Sequence, residues 1–133
     1  MIINMEELRI SGLDELDADE LEEAVPTDEV RIERPQSGDA ADGAHHEPLT
    51  ILAVILISST AIRGLTAWLL KKRHRSKVEL DVEIRRPDGT IEKKRVVIEL
   101  SESSTEADIV REVGDKFGLD PGTVAKALAQ IPG

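Results

Sequence analysis

"LTILAVILISSTAIRGLTAWLLKKRHR", residues 49–75, is apolar for longer than any other part of this chain, and how it is read decides the fold. Two readings compete. In the first, residues 49–70 form one long apolar helix and a single membrane span. At about 1.5 Å per residue such a helix reaches about 33 Å, enough for a hydrocarbon core of about 30 Å. Leu49, Ile51, Leu52, Val54, Ile55, Leu56, Ile57, Ile62, Leu65, Leu69 and Leu70 each favour insertion by roughly 0.3 to 0.6 kcal/mol. Together they outweigh a central Arg63, which costs roughly 2.5 to 3.5 kcal/mol. Trp68 suits the membrane–water boundary. The basic flank Lys71, Lys72, Arg73 and Arg75 follows an acidic stretch, so the positive-inside rule places the C-terminal part in the cytoplasm.

In the second reading the segment is two elements. Residues 51–57, "ILAVILI", are rich in β-branched side chains and suit a strand covered on both faces. Ser58 or Ser59 then caps a helix. Along that helix Ser59, Arg63, Thr66 and Leu70 make a mostly polar stripe, and Ala61, Ile62, Leu65, Trp68 and Leu69 an apolar one. A helix surrounded by lipid has no need of that amphipathic pattern. Arg63 is the pivot: a spanning helix must find it a buried partner, whereas a water-exposed domain turns it to the surface.

Outward from this segment the patterns are plainer. Residues 35–48, polar and Gly/Ala-rich between prolines, read as a flexible linker. Residues 1–34 read as an acidic β-α-β front. Leu8 and Ile10 alternate, Asp17 and Glu20 are spaced as a capping box, Leu16, Leu21, Ala24 and Val25 form a thin stripe, and Val30 and Ile32 alternate again. Residues 76–133 read as a hairpin followed by one or two helices. Val78, Leu80, Val82 and Ile84 face one way at period two, Pro87, Asp88 and Gly89 make the turn, and Val96, Ile98 and Leu100 return on the inner face. Ser103 and Glu106 then open a helix that buries Ile109, Val110, Val113 and Phe117 and stops at Gly118. Asp120 and Pro121 start a shorter one lined by Val124, Leu128 and Ile131. The fold class is therefore α+β. The β-β-α order is also how a β-grasp fold opens, but the strands that would complete one do not follow.

Composition narrows the function. The chain has no Cys, so disulfides, thiolate metal sites and a Cys nucleophile are excluded. Its net charge of -10 is concentrated in the front, which argues against nucleic-acid binding. His45 and His46 sit side by side in the linker with no third ligand near, and read as solvated. The acidic run from Asp14 to Glu23 lacks the order and the central Gly of a calcium loop. Arg85, Arg86, Lys93, Lys94 and Arg95 make a basic hairpin tip suited to lipid phosphates, an acidic partner or the acidic front of the same chain. No phosphate loop, nucleophile elbow or HExxH is present, so no enzyme activity, cofactor or metal is expected.

Ala67-Trp68-Leu69, the basic run from Lys71 to Arg75, the strand from Val78 to Ile84 and the Pro87-Asp88-Gly89 turn together resemble the effector-associated constant component family of bacterial conflict systems. The order of β-α-β front, linker and apolar segment is similar as well. Ser58, Ser59 and Thr60 stand where that family's segment is Gly-rich, and the helices after Ser103 are an addition. The resemblance implies an accessory part encoded beside effectors. The function expected from the sequence is a non-enzymatic accessory or adaptor, membrane-associated through residues 49–70, presenting a cytoplasmic α+β domain to protein partners. The alternative is a soluble, cytoplasmic α+β interaction module whose apolar segment is buried in its core or in a homo-oligomer interface.

Overall fold

The apolar segment is two elements, not one helix. The computed structural model describes residues 6–34 and 51–131, and places β1 at Glu7–Leu13, α1 at Glu15–Ala24, β2 at Val30–Glu33, β3 at Ile51–Leu56 and α2 at Ser59–Leu70. β4 (Lys77–Arg85), β5 (Ile91–Glu99), α3 (Glu106–Phe117) and α4 (Pro121–Ala129) follow. The long helix expected over residues 49–70 is thus corrected, across the described residues 51–70, to a strand, a break and a helix. The physical reason lies in the residues. The β-branched run of β3 is held by its neighbours, with Leu8 opposite Ile55 on one side and Val30 opposite Ile55 on the other. Ser58 then stops the strand, its side chain accepting the Ala61 N–H at 3.0 Å as N-cap of α2. Among the described residues no helix is long and apolar enough to cross a membrane. Leu49, the linker 35–48 and the His45-His46 pair lie outside the described residues.

Among the described residues one sheet takes all five strands in the order β2-β3-β1-β4-β5, every neighbour antiparallel. β1-α1-β2 steps over β3, and β3-α2-β4 steps over β1. These two interleaved crossovers give the split β-α-β connectivity of the ferredoxin-like arrangement, extended by the β4–β5 hairpin and two helices. The front of the chain is therefore not free-standing, since β1 is paired on both edges.

Period-two alternation decides which face is covered. Leu8, Ile10, Ala53, Ile55, Val78, Leu80, Val82, Ile84, Val96 and Ile98 point to the helices and are buried. α2 crosses this face with Ala61, Ile62, Leu65, Trp68 and Leu69 inward, the apolar stripe read from the sequence. Ile109, Val110, Val113 and Phe117 of α3 close the core beside it. Two helix starts differ from expectation. Asp14, not Asp17, caps α1, and the capping box of α3 is Thr105 with Asp108 rather than Ser103 with Glu106. On α1 the buried stripe is Ala18 and Leu21, leading into Val25, while Leu16 is 65% exposed. Gly118 ends α3 with φ 66°, a left-handed C-cap that glycine adopts without strain. Gly64 lets α2 approach the end of α1, because a Cβ there would stand 2.5 Å from the Ala24 carbonyl oxygen.

Candidate interaction surfaces

The residues singled out from the sequence divide among three places. Ile51, Ile55, Ile57, Ile62, Leu65, Trp68 and Leu69 are core. Leu52, Val54 and Leu56 lie on the other face of the sheet, which no helix among the described residues covers. Arg63 sits on the α3 side of α2, its guanidinium 3.4 Å from the Glu106 carboxylate with 35% of the side chain exposed. It reaches the surface, but with a partner.

The open sheet face is an ionic lattice around an apolar strip. Arg9 and Arg31 stand opposite Val54 on either side, and Val54 is only 4% exposed. Leu52 and Leu56, above and below, are half-buried. Around them Arg9 pairs with Glu7 at 2.7 Å, Arg31 with Glu33 at 2.9 Å, Arg85 with Glu83 at 2.6 Å and Arg95 with Asp81 at 3.0 Å. The hydrogen bond from Arg85, with help from the charges of Lys93 and Arg9, holds the Glu83 carboxyl below its ordinary range. The basic hairpin expected at Arg85, Arg86, Lys93, Lys94 and Arg95 is therefore spent within the fold. Each of the five has a carboxylate within 4.0 Å, Arg85 and Arg86 reaching the front of the chain at Glu7 and Glu6. The turn itself is as read: the Arg86 N–H bonds to the Thr90 carbonyl at 2.8 Å, and Asp88 accepts the Thr90 N–H at 2.9 Å.

The basic flank, read from the sequence as one charged run, is split. Lys72 turns inward. Its side chain is 4% exposed, its ammonium lies 3.3 Å from Glu20 and bonds Asp17 more closely still, and it rests 4.8 Å from the centre of the Trp68 ring. Trp68 donates its indole N–H to the Asp17 carbonyl at 3.1 Å, so the same acidic helix receives both side chains. Lys71, Arg73, His74 and Arg75 face outward. Among the described residues, every Lys and Arg has a carboxylate within 4.0 Å except Lys71, Arg73, Arg75, Lys116 and Lys126.

At the opposite end of the sheet a cleft of about 750 Å³ opens between the β4–β5 turn and the starts of α2 and α4. Glu6, which no pattern in the sequence singles out, is part of its lining. Buried at the start of β1, Glu6 accepts the Asp120 N–H at 2.8 Å and lies 3.8 Å from Arg86. No sequence signal reaches across that separation. Ser58 and Asp120 already cap the two helices there, so the polar groups of the cleft largely satisfy one another. Among the described residues no three His, Cys, Asp or Glu side chains gather as a metal set. In comparison with known proteins, no family model, no curated protein and no solved structure matches the chain.

Proposed function

We propose that this protein is a non-enzymatic interaction module, an accessory or adaptor component, whose open sheet face receives a partner protein. The observation that carries the reading is β3. It is an inner strand, apolar on both sides, yet among the described residues helices lie over one side alone. A strand of that composition normally has both faces covered, and an apolar strip rimmed by charge is a common mark of a docking surface. The Arg9 and Arg31 stems over Val54 form a cover that a partner can displace without breaking a backbone hydrogen bond. The likeness to effector-associated constant components favours an accessory role beside an effector, as do the ordinary ion pairs that fill the rest of the surface.

The test is site-specific photo-cross-linking in the cell that makes the protein. A photoreactive side chain at Leu52 or Leu56 is expected to yield a defined protein adduct. The same group at exposed Ala129 of α4 is expected to yield none. If Leu52 and Leu56 give no adduct above the Ala129 background, the sheet face is not the working surface.

A further inference from the structure

We infer that the turn joining α2 to β4 is a second docking point, shaped for an acidic segment of a partner protein. Lys71, Arg73, His74 and Arg75 project from a single 3-10 turn at Arg73–Arg75 and the helix end before it. Three of the five cations that lack a carboxylate within 4.0 Å, among the described residues, stand here within five positions of sequence. The protein has acids to spare, 27 against 17 Lys and Arg. Acidic α1 is also one side chain away, since Lys72 bonds Asp17 and Glu20. Even so, among the described residues no carboxylate lies within 4.0 Å of the outward cations, while the inward one is doubly paired.

Hydrogen bonds within the fold hold the turn in place. Ser76 closes it in the left-handed region at φ 61°, an uncommon conformation for a residue with a side chain. The Ser76 carbonyl accepts the Leu100 N–H at 2.7 Å, and Arg73 donates to the Leu70 carbonyl at 3.1 Å. Half-buried Leu70 floors a shallow depression that Lys71, Arg73 and His74 surround, with Glu102 on its rim. A preformed site loses less entropy on binding.

The charge distribution selects the partner. A bilayer is a plane, and recruitment by anionic lipid generally takes a cluster of about 4–8 cations. A chain of net charge -10 is also repelled as a whole by an extended anionic plane. A nucleic acid, with its long run of phosphates, meets the same repulsion. A short acidic peptide touches only the turn, and at about 0.15 M salt charges farther than about 8 Å are largely screened from it.

The experiment titrates a short fluorescent peptide of alternating Glu and Asp with the full chain and follows anisotropy. Saturable binding is expected, weakened about tenfold by K71A/R73A/R75A, the order expected from three exposed ion pairs. Weakening is also expected as salt rises from about 0.05 to about 0.15 M. Two controls locate the effect: K116A/K126A, which removes the other unpaired cations, and L52S/L56S on the open sheet face, both expected to bind as wild type does. R75E alone reproduces the loss if the triple variant folds poorly, which thermal melts report. Equal binding by wild type and K71A/R73A/R75A overturns the inference. So does absence of saturable binding, or sedimentation with phosphatidylserine–phosphatidylcholine vesicles by a protein that ignores the peptide.

Discussion

Replacing Gly64 with Ala should destabilise the protein, although alanine is the better helix former. In an open helix the exchange gains about 1 kcal/mol. Here the new Cβ would stand 2.5 Å from the Ala24 carbonyl oxygen, 2.9 Å from the Val25 Cα and 3.0 Å from the Ala24 carbonyl carbon. All three are backbone atoms at the end of α1, and none can rotate aside. α1 is further tied to α2 by the Lys72 ion pairs and by the hydrogen bond from Trp68 to Asp17, so relief requires a shift of the whole helix. Overpacking of this kind costs about 1–3 kcal/mol, and contact with fixed backbone puts it at the upper end. The net loss is about 1–2 kcal/mol, a fall in Tm of roughly 3–10 °C for a domain of this size. Urea unfolding followed by far-UV circular dichroism and by the fluorescence of Trp68, the single tryptophan, measures it. Gly114→Ala serves as comparison, because there the new Cβ meets only the movable Val124 side chain, at 2.8 Å, and the loss should be smaller. A gain in stability for Gly64→Ala, near the value propensity alone gives, would refute the packing of α2 on α1.

Three further outcomes follow from the same geometry. Lys72→Met should cost about 1–3 kcal/mol in urea unfolding, less than a fully buried pair because Asp17 and Glu20 keep 15% and 29% exposure, whereas Lys71→Met should stay within about 0.5 kcal/mol. Thr105→Ala should lower stability by about 1 kcal/mol by removing the hydroxyl that accepts the Asp108 N–H at 3.1 Å, and Ser103→Ala should cost less. Acid should destabilise the fold: Arg85 holds the Glu83 carboxyl below its ordinary 4.5, and the Thr105 N–H holds Asp108 below 3.8. A depressed folded-state pKa gives stability that is fully present above the unfolded value and is lost as pH falls through the folded one, so urea midpoints should decline below about pH 4.5 and keep declining past about 3.8. A flat profile there would show these carboxylates to be indifferent to folding.

Much of the fold is written locally. The inner faces of β4 and β5, the buried stripe of α3 and the caps at Gly118 and Asp120 follow from period, turn chemistry and capping residues alone. Strand order is not local. That β1 enters between β3 and β4 depends on Leu8 meeting both Ile55 and Ile84, pairings separated by dozens of residues. The apolar segment was ambiguous because β3 is apolar at every position and so lacks the alternation that marks a strand with one wet face. Its β-branched residues and Ser58 were the available clues. The inward turn of Lys72 was hidden in the basic flank for a different reason. Neighbours in sequence point about 100° apart on a helix, and Lys72 stands four residues after Trp68, on the buried side. The same geometry explains Leu16, which falls off the stripe made by Ala18, Leu21 and Val25. As for function, the interaction surfaces were legible only as composition. Which cations are paired and which face of β3 is uncovered are properties of the assembled sheet.

The most direct test of the two-element reading of residues 51–70 is backbone NMR of the full chain in detergent-free buffer. Extended-strand chemical shifts are predicted from Ile51 to Leu56, with cross-strand contacts from Ile55 to Leu8 and to Val30, then a break at Ser58 and helical shifts from Ser59 to Leu70. One unbroken run of helical shifts through residues 51–70, with no contact to Leu8 or Val30, would contradict it.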